Sequence, residues 1–135
     1  MSVKSAIYKR LIASAELEEL IGSAIFPEWR DEVEPALVYS VRMDDLERSY
    51  VEGILATSWE LTIGVVHKDE DKANEIADLV IGYLDHTGFS DGTTFVLGCF
   101  LRSRDESSVA KTTQRVRLAT VELTFELEAN EQEVQ

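Results

Sequence analysis

The residues best able to do chemistry in this chain crowd into "WELTIGVVHKDEDKANEIADLVIGYLD", residues 59–85, where His67, Asp69, Glu70 and Asp71 stand almost side by side. An imidazole and carboxylates at alternate positions of an extended strand share one side, as in a metal site or an acid–base pair. No second histidine stands nearby, however, so no recognised ligand spacing can be written. Next along the chain comes an apolar helical period, and an acidic residue just ahead of such a run is what a helix start requires. Its oxygens accept the unpaired backbone N–H groups, and its charge suits the dipole. The junction is therefore expected to be the corner where a strand hands over to a helix.

The remaining reactive groups read the same way. His86 falls at the far end of that helix, where a partly positive imidazole is favoured by the C-terminal dipole. The serines form no G-x-S-x-G elbow. Cys99, the single cysteine, lies in an apolar run where a thiolate is disfavoured, and it allows neither an internal disulfide nor a cysteine-based zinc cluster. The glycines are scattered singly, with no phosphate-cradling loop or dinucleotide fingerprint. The expectation is a protein with no catalytic residues, no metal and no cofactor, and so not an enzyme.

These groups must be positioned by one folded unit. A chain of 135 residues fits one domain and hides roughly two-thirds of its extended surface on folding. Val3, Ala6, Ile7, Leu11, Leu17, Leu20 and Ile21 mark an amphipathic helix in one or two parts, stopped at Gly22. A short strand "AIF" comes after it, and then a polar loop between Pro27 and Pro35. Residues 36–66 read as a long β-hairpin with its tip near Asp44 to Arg48. In its second arm Trp59, Leu61, Ile63 and Val65 alternate with Ser58, Glu60, Thr62 and Gly64, giving one dry face. Ala73, Ile76, Ala77, Val80 and Leu84 form the stripe of a second helix ending between Asp85 and Gly88.

"TTFVLGCFLR" is an apolar strand open to cover on both sides, "SRDESSVAKTTQ" a polar connector, and Ala119, Val121, Leu123, Phe125 and Leu127 the dry face of a last strand. Gly64 and Gly98, inside strands, point to a bulge or a close approach. The order α-β-β-β-α-β-β predicts an α+β fold, a mostly antiparallel sheet with two helices on one face and a long hairpin arm. One domain is expected over 1–127, with an acidic flexible tail over 128–135.

The net charge of −13 repels a phosphate backbone and argues against a grip on nucleic acid, although an acidic wall can line a passage through which DNA slides. No stretch reaches eighteen uninterrupted apolar residues, and charges run through the first twenty, so neither a membrane segment nor a secretion signal is expected. Two places point to contacts with other chains. Between residues 102 and 117, Arg102, Arg104, Lys111, Arg115 and Arg117 face only Asp105 and Glu106, a basic arm on an acidic protein. At the hairpin, Met43, Leu46, Tyr50 and Val51 lie among Arg42, Asp44, Asp45, Glu47 and Arg48, a place where a monomer does not normally spend large apolar groups.

The beginning "AIYKRLIASAELEELIGSAIFPE", then "PALVYSV", then the strand and helix of residues 59–85 and a final long strand resemble, over roughly residues 6–127, the tail-completion or tail-terminator proteins of long-tailed phages. The resemblance implies a virion protein made in the host cytoplasm and built in at the tail–neck junction. It further implies a homo-oligomeric ring, commonly a hexamer, that caps the tail tube, meets head–neck connector and adaptor proteins, and lets genomic DNA pass its lumen without sequence-specific binding. On that basis Met43, Leu46, Arg48, Tyr50, Arg102, Arg104, Lys111, Arg115 and Arg117 are the candidate interface residues. The other reading of the same elements is a small α+β module that dimerises through its sheet and takes up a ligand.

Overall fold

The computed structural model of the chain describes residues 3–21, 25–26, 36–51, 54–90, 92, 94–111 and 116–131. The first amphipathic stretch forms two helices, α1 (Val3–Ile12) and α2 (Ala15–Ile21). Ser14 causes the break: its hydroxyl accepts the Leu17 N–H at 3.3 Å and its carbonyl takes the Glu18 N–H at 3.1 Å, so it caps α2 instead of continuing α1. Val3, Ala6, Ile7, Leu11, Leu17 and Ile21 are buried, as their spacing requires.

The strands among the described residues are β1 (Ile25–Phe26), β2 (Ala36–Val51), β3 (Ile54–His67), β4 (Phe89–Ser90), β5 (Thr94–Lys111) and β6 (Val116–Glu131). They form one sheet in the order β1-β2-β3-β6-β5-β4, in which every pairing is antiparallel except the short parallel one between β1 and β2. Helix α3 (Glu70–Leu84) connects β3 to β4. One face of the sheet carries Leu37, Tyr39, Leu61, Ile63, Val65, Val121, Leu123, Phe125 and Leu127. Against it pack the buried stripes of α1 and α2 and the stripe Ala73, Ile76, Ala77, Val80 and Leu84 of α3. The fold is α+β, with α1, α2 and α3 on that face.

The period-2 and period-3.6 patterns thus place the core correctly, and burying one such large side chain stabilises the fold by about 1.5–3 kcal/mol. Several connections differ from expectation. The first hairpin does not turn at Asp44 to Arg48: Met43 pairs with Trp59 and Arg48 with Thr57, so Asp44 to Glu47 lie opposite Ser58 alone as a wide irregularity, and the pairing resumes to Val51 opposite Ile54. The polar stretch after Arg102 is no connector. Ser103 to Lys111 belong to β5 and pair with β6, because a polar side chain is no obstacle to a ladder whose outer face is wet.

β5 is covered on one side only: Val96 and Cys99 are buried, whereas Phe95 and Phe100 are exposed, the latter by 44%. β6 runs to Glu131 with Ala129 buried, so Glu128 to Glu131 belong to the sheet and not to a tail; residues 132–135 lie outside the described part. The Gly22 stop and the Pro27–Pro35 loop also fall outside it. Gly98 lies at an irregularity of the kind expected. The Phe100 ring lies over it, 2.8 Å from where a Cβ would stand, next to a register shift between Val96 and Gly98. Around Gly64 nothing comes within 4 Å of a built Cβ.

Candidate assembly surface: the sheet edges and the charged strands

The charged junction after β3 is a helix cap in detail. Asp69 has extended backbone angles, φ −96° and ψ 116°, and its Oδ1 accepts the Asp71 N–H at 2.9 Å and the Lys72 N–H at 3.5 Å. His67 Nδ1 accepts the Asp69 N–H at 2.9 Å, which fixes the bend itself. Glu70 and Asp71 lie exposed in the first turn, where their charge suits the dipole. Among the described residues no group of three or more His, Cys, Asp or Glu side chains could hold a metal ion.

The other end of α3 does something the sequence pattern did not reveal. Asp85 donates its N–H to the Ile81 carbonyl at 2.8 Å, and its Oδ1 reaches sixteen residues along the chain to accept the Leu101 N–H at 2.9 Å. His86 sits at φ 59°, the left-handed position that often comes just after a helix, and its N–H donates to the Cys99 carbonyl at 2.7 Å. Its ring stands edge-on to Phe100 at 5.3 Å. Two consecutive residues therefore close the outer edge of β5 at Cys99 and Leu101. Behind that edge, burial first and the nearby Asp85 carboxylate second push the Cys99 thiol up to about 12, which keeps it protonated and unreactive.

The nine candidate interface residues fall into two groups that the structure keeps apart. Met43 pairs with Trp59, Arg48 with Thr57 and Tyr50 with Leu55, while Leu46 lies in the widened stretch between; their side chains are outside the described part. Lys111 pairs with Val116 and Arg117 with Ala110, again without described side chains, and Arg115 lies outside the described residues altogether. β3 and β6 run antiparallel from Thr57 opposite Ala129 to His67 opposite Ala119. The reversal after Val51 and the end of the ladder at Lys111 consequently project from opposite ends of the sheet.

Two basic residues of the second group are engaged within the chain. Arg102, whose side chain is 62% exposed, pairs with Glu126 across the strand on the helix-free face. Arg104, only 26% exposed, donates from Nη1 to Asp78 at 2.6 Å and from Nη2 to Asn74 at 2.7 Å, with Glu106 3.4 Å from its Nε. It fastens the middle of α3 to β5. Arg10 of α1 donates to the Tyr83 carbonyl at 3.1 Å and lies 4.0 Å over the Tyr83 ring. Asp78 and Asn74 sit one turn apart on α3, a spacing that marks a shared face but names no partner.

Among the described residues the sheet leaves both of its long outer strands only partly covered: β1 pairs with β2 at Leu37 and Val38, and β4 pairs with β5 at Phe95 and Val96. Beyond the two bonds from Asp85 and His86, no backbone group of β5 from Ser103 to Lys111 is bonded on its outer side among the described residues. Such edges are templates for a further strand.

No family model matches the chain, and no curated protein matches it in sequence. Among solved structures, a chain of the virion of a native gene transfer agent (GTA) particle is similar over 95% of this chain and 94% of that one, with a TM-score of 0.71 and 16% sequence identity. The chain therefore shares its fold, nearly end to end, with a component of a GTA virion.

Proposed function

We propose that this chain is a structural subunit of a phage-like virion, and that it acts as a tail terminator: a homo-oligomeric ring, six-membered in the commonest form of such assemblies, that caps the tail tube and joins it to the neck. The observation that carries the reading is the end-to-end likeness to a GTA virion chain, in which neither chain has an appreciable part without a counterpart in the other. The sequence resemblance to tail-completion proteins points the same way, independently of that comparison. The charge of −13 fits a wall past which DNA must slide, since repulsion keeps the duplex from sticking. A subunit with two sheet edges partly open among the described residues, and with a basic stretch over residues 102–117 on an acidic body, is also suited to unlike-to-unlike contacts, which close into rings when the rotation allows.

The test is assembly. Purified protein examined by electron microscopy, alone and mixed with tail tubes, is expected to give rings, or tubes ended by a ring-shaped cap. Tubes that stay uncapped and indistinguishable from untreated ones at saturating protein would contradict the proposal. Replacing Lys111 and Arg117 with Glu is expected to abolish ring formation while the far-ultraviolet circular dichroism and melting temperature of the subunit stay unchanged.

A further inference from the structure

We infer that the basic end of the β5–β6 ladder in one copy seats in the groove between the α1–α2 corner and α3 of the next copy, so that each subunit gives one such end and receives another. This rests on the ring reading and specifies how neighbours meet.

The groove has a volume of about 440 Å³. Three small residues, Ala13, Ala15 and Gly82, line it together with Tyr83 and two acidic residues, Glu16 and Asp78. Such a lining suits a lysine or arginine, whose aliphatic stem lies along apolar surface while its charge stays with carboxylates and water. Asp78 gives one oxygen to Arg104 yet keeps its side chain 70% exposed, and the Glu16 carboxylate makes no hydrogen bond or ion pair among the described residues. The surroundings carry the same sign. Seven acidic residues are exposed on α2 and α3 against a single lysine, Lys72, which Glu75 already holds at 3.3 Å. On the helix-free face, by contrast, Glu60 and Glu126 are paired with Arg42 and Arg102.

The complement to this groove is in the same chain. From Ser107 to Val121 the sequence has Lys111, Arg115 and Arg117 and no acidic residue, and the ladder there pairs Ala110 with Arg117 and Lys111 with Val116. That end cannot reach its own groove. Two contacts show α3 and β5 running antiparallel: Asp78 meets Arg104, and Asp85, further along the helix, meets Leu101, further back along the strand. Beyond Arg104 the strand therefore heads toward the start of α3, whereas Gly82 and Tyr83 lie toward its end. The stretch from Arg104 to Lys111 spans about 23 Å as extended strand and that from Asp78 to Glu70 about 12 Å as helix, so the ladder overshoots the helix by about 10 Å. The contact is thus available only between copies, and it joins unlike surfaces, the kind that closes into a ring. The other acid-free basic run, Lys4 to Arg10, is built into the helical layer: it belongs to α1, and its Arg10 is bound to the Tyr83 carbonyl.

Carbodiimide, which condenses a lysine amine with a carboxylate, tests the contact on the unsubstituted ring. In rings mixed from unlabelled and isotope-labelled protein, mass spectrometry of the digest is expected to show Lys111 joined to Glu16 or Asp78 across chains. A ring whose Lys111 links only to other carboxylates would overturn this inference while leaving the ring reading intact; failure to form any ring, alone or on tubes, would overturn both. Gly82 gives a second readout. A Cβ there meets nothing within 4 Å, and glycine is a poor helix former, so Gly82→Arg is expected to keep the monomer's melting temperature. With a like charge filling the groove, the concentration needed for ring assembly should rise at least about tenfold, whereas Gly82→Ala assembles as before. A Gly82→Arg protein that forms rings normally would overturn the inference, and if those rings no longer capped tubes the groove would belong to the tube subunit instead.

Discussion

The two halves of β5 meet their surroundings in opposite ways. As far as Leu101 the outer edge is closed, first by β4 at Phe95 and Val96 and then by the C-terminal cap of α3 through Asp85 and His86. From Ser103 onward the strand is just as well paired with β6 but has no backbone partner on its other side among the described residues. The change falls at the register shift between Leu101 and Ser103. Closing an edge is thus a tertiary act, done here by the end of a helix, and where the helix stops the strand is left available. The first half is tied into the subunit on both of its edges, and the second only on the edge it shares with β6 among the described residues.

The strongest way to break that contrast is to remove what both halves stand on. Phe125 is fully buried directly across from Leu101, and Phe125→Ala is expected to cost about 3–5 kcal/mol, read as a lowered urea midpoint with an unchanged slope. Asp85→Ala sharpens the contrast instead. Loss of a hydrogen bond to a charged group should cost about 1.5–3 kcal/mol and speed amide exchange at Leu101, while exchange at Arg104 to Ala110 in the monomer stays as it was. At the opposite end of α3, Asp69→Ala removes a cap that serves only its own helix. The expected cost is about 1 kcal/mol in thermal melting, with Asp69→Asn or Asp69→Ser restoring most of it. Arg104→Ala, which loses partly exposed pairs with Asp78 and Glu106, should cost no more than about 1 kcal/mol in the same measurement.

The closed half also has a signature in alkali. The Cys99 thiol titrates at about 12 in the folded chain against an ordinary 9.0, and burial, with Tyr8 beside it, raises Tyr39 above 10.0 as well. Both groups hold their protons in the folded state more tightly than in the unfolded one. The stability they contribute is therefore complete below pH 9 and falls as the pH rises from there toward 12, where the unfolded chain binds fewer protons. Denaturant midpoints measured across that range should decline, and Cys99→Ala should flatten part of the decline.

The central elements were legible because their patterns are strict. Leu61, Ile63 and Val65 on β3, Val121 to Leu127 on β6 and the stripe from Ala73 to Leu84 on α3 each bury the face that their period predicts. The Asp69 cap was legible because its acceptors lie two and three residues away. The features that escaped were long-range or depended on the outer face. The bonds from Asp85 and His86 to β5 span sixteen and thirteen residues, and nothing in the local sequence names their partners. Ser103 to Lys111 looked like a connector because the outer face of an edge strand is free to be polar, which removes the alternation that reveals strands.

The hairpin reversal was misplaced for a related reason. Asp44 to Arg48 carry turn-forming residues, but here they widen one strand, and the pairing continues to Val51 opposite Ile54. Among the candidate interface residues, Arg104 and Arg102 have partners inside the chain, and charge counting cannot distinguish such a clamp from a free docking residue.

The mass of the purified protein in solution, measured by native mass spectrometry alone and after addition of tail tubes, tests the ring most directly. A closed assembly predicts a single species of several identical 15.2 kDa chains, six in the commonest form, either at once or on the tube. A protein that remained a monomer or a two-fold dimer under both conditions would contradict it.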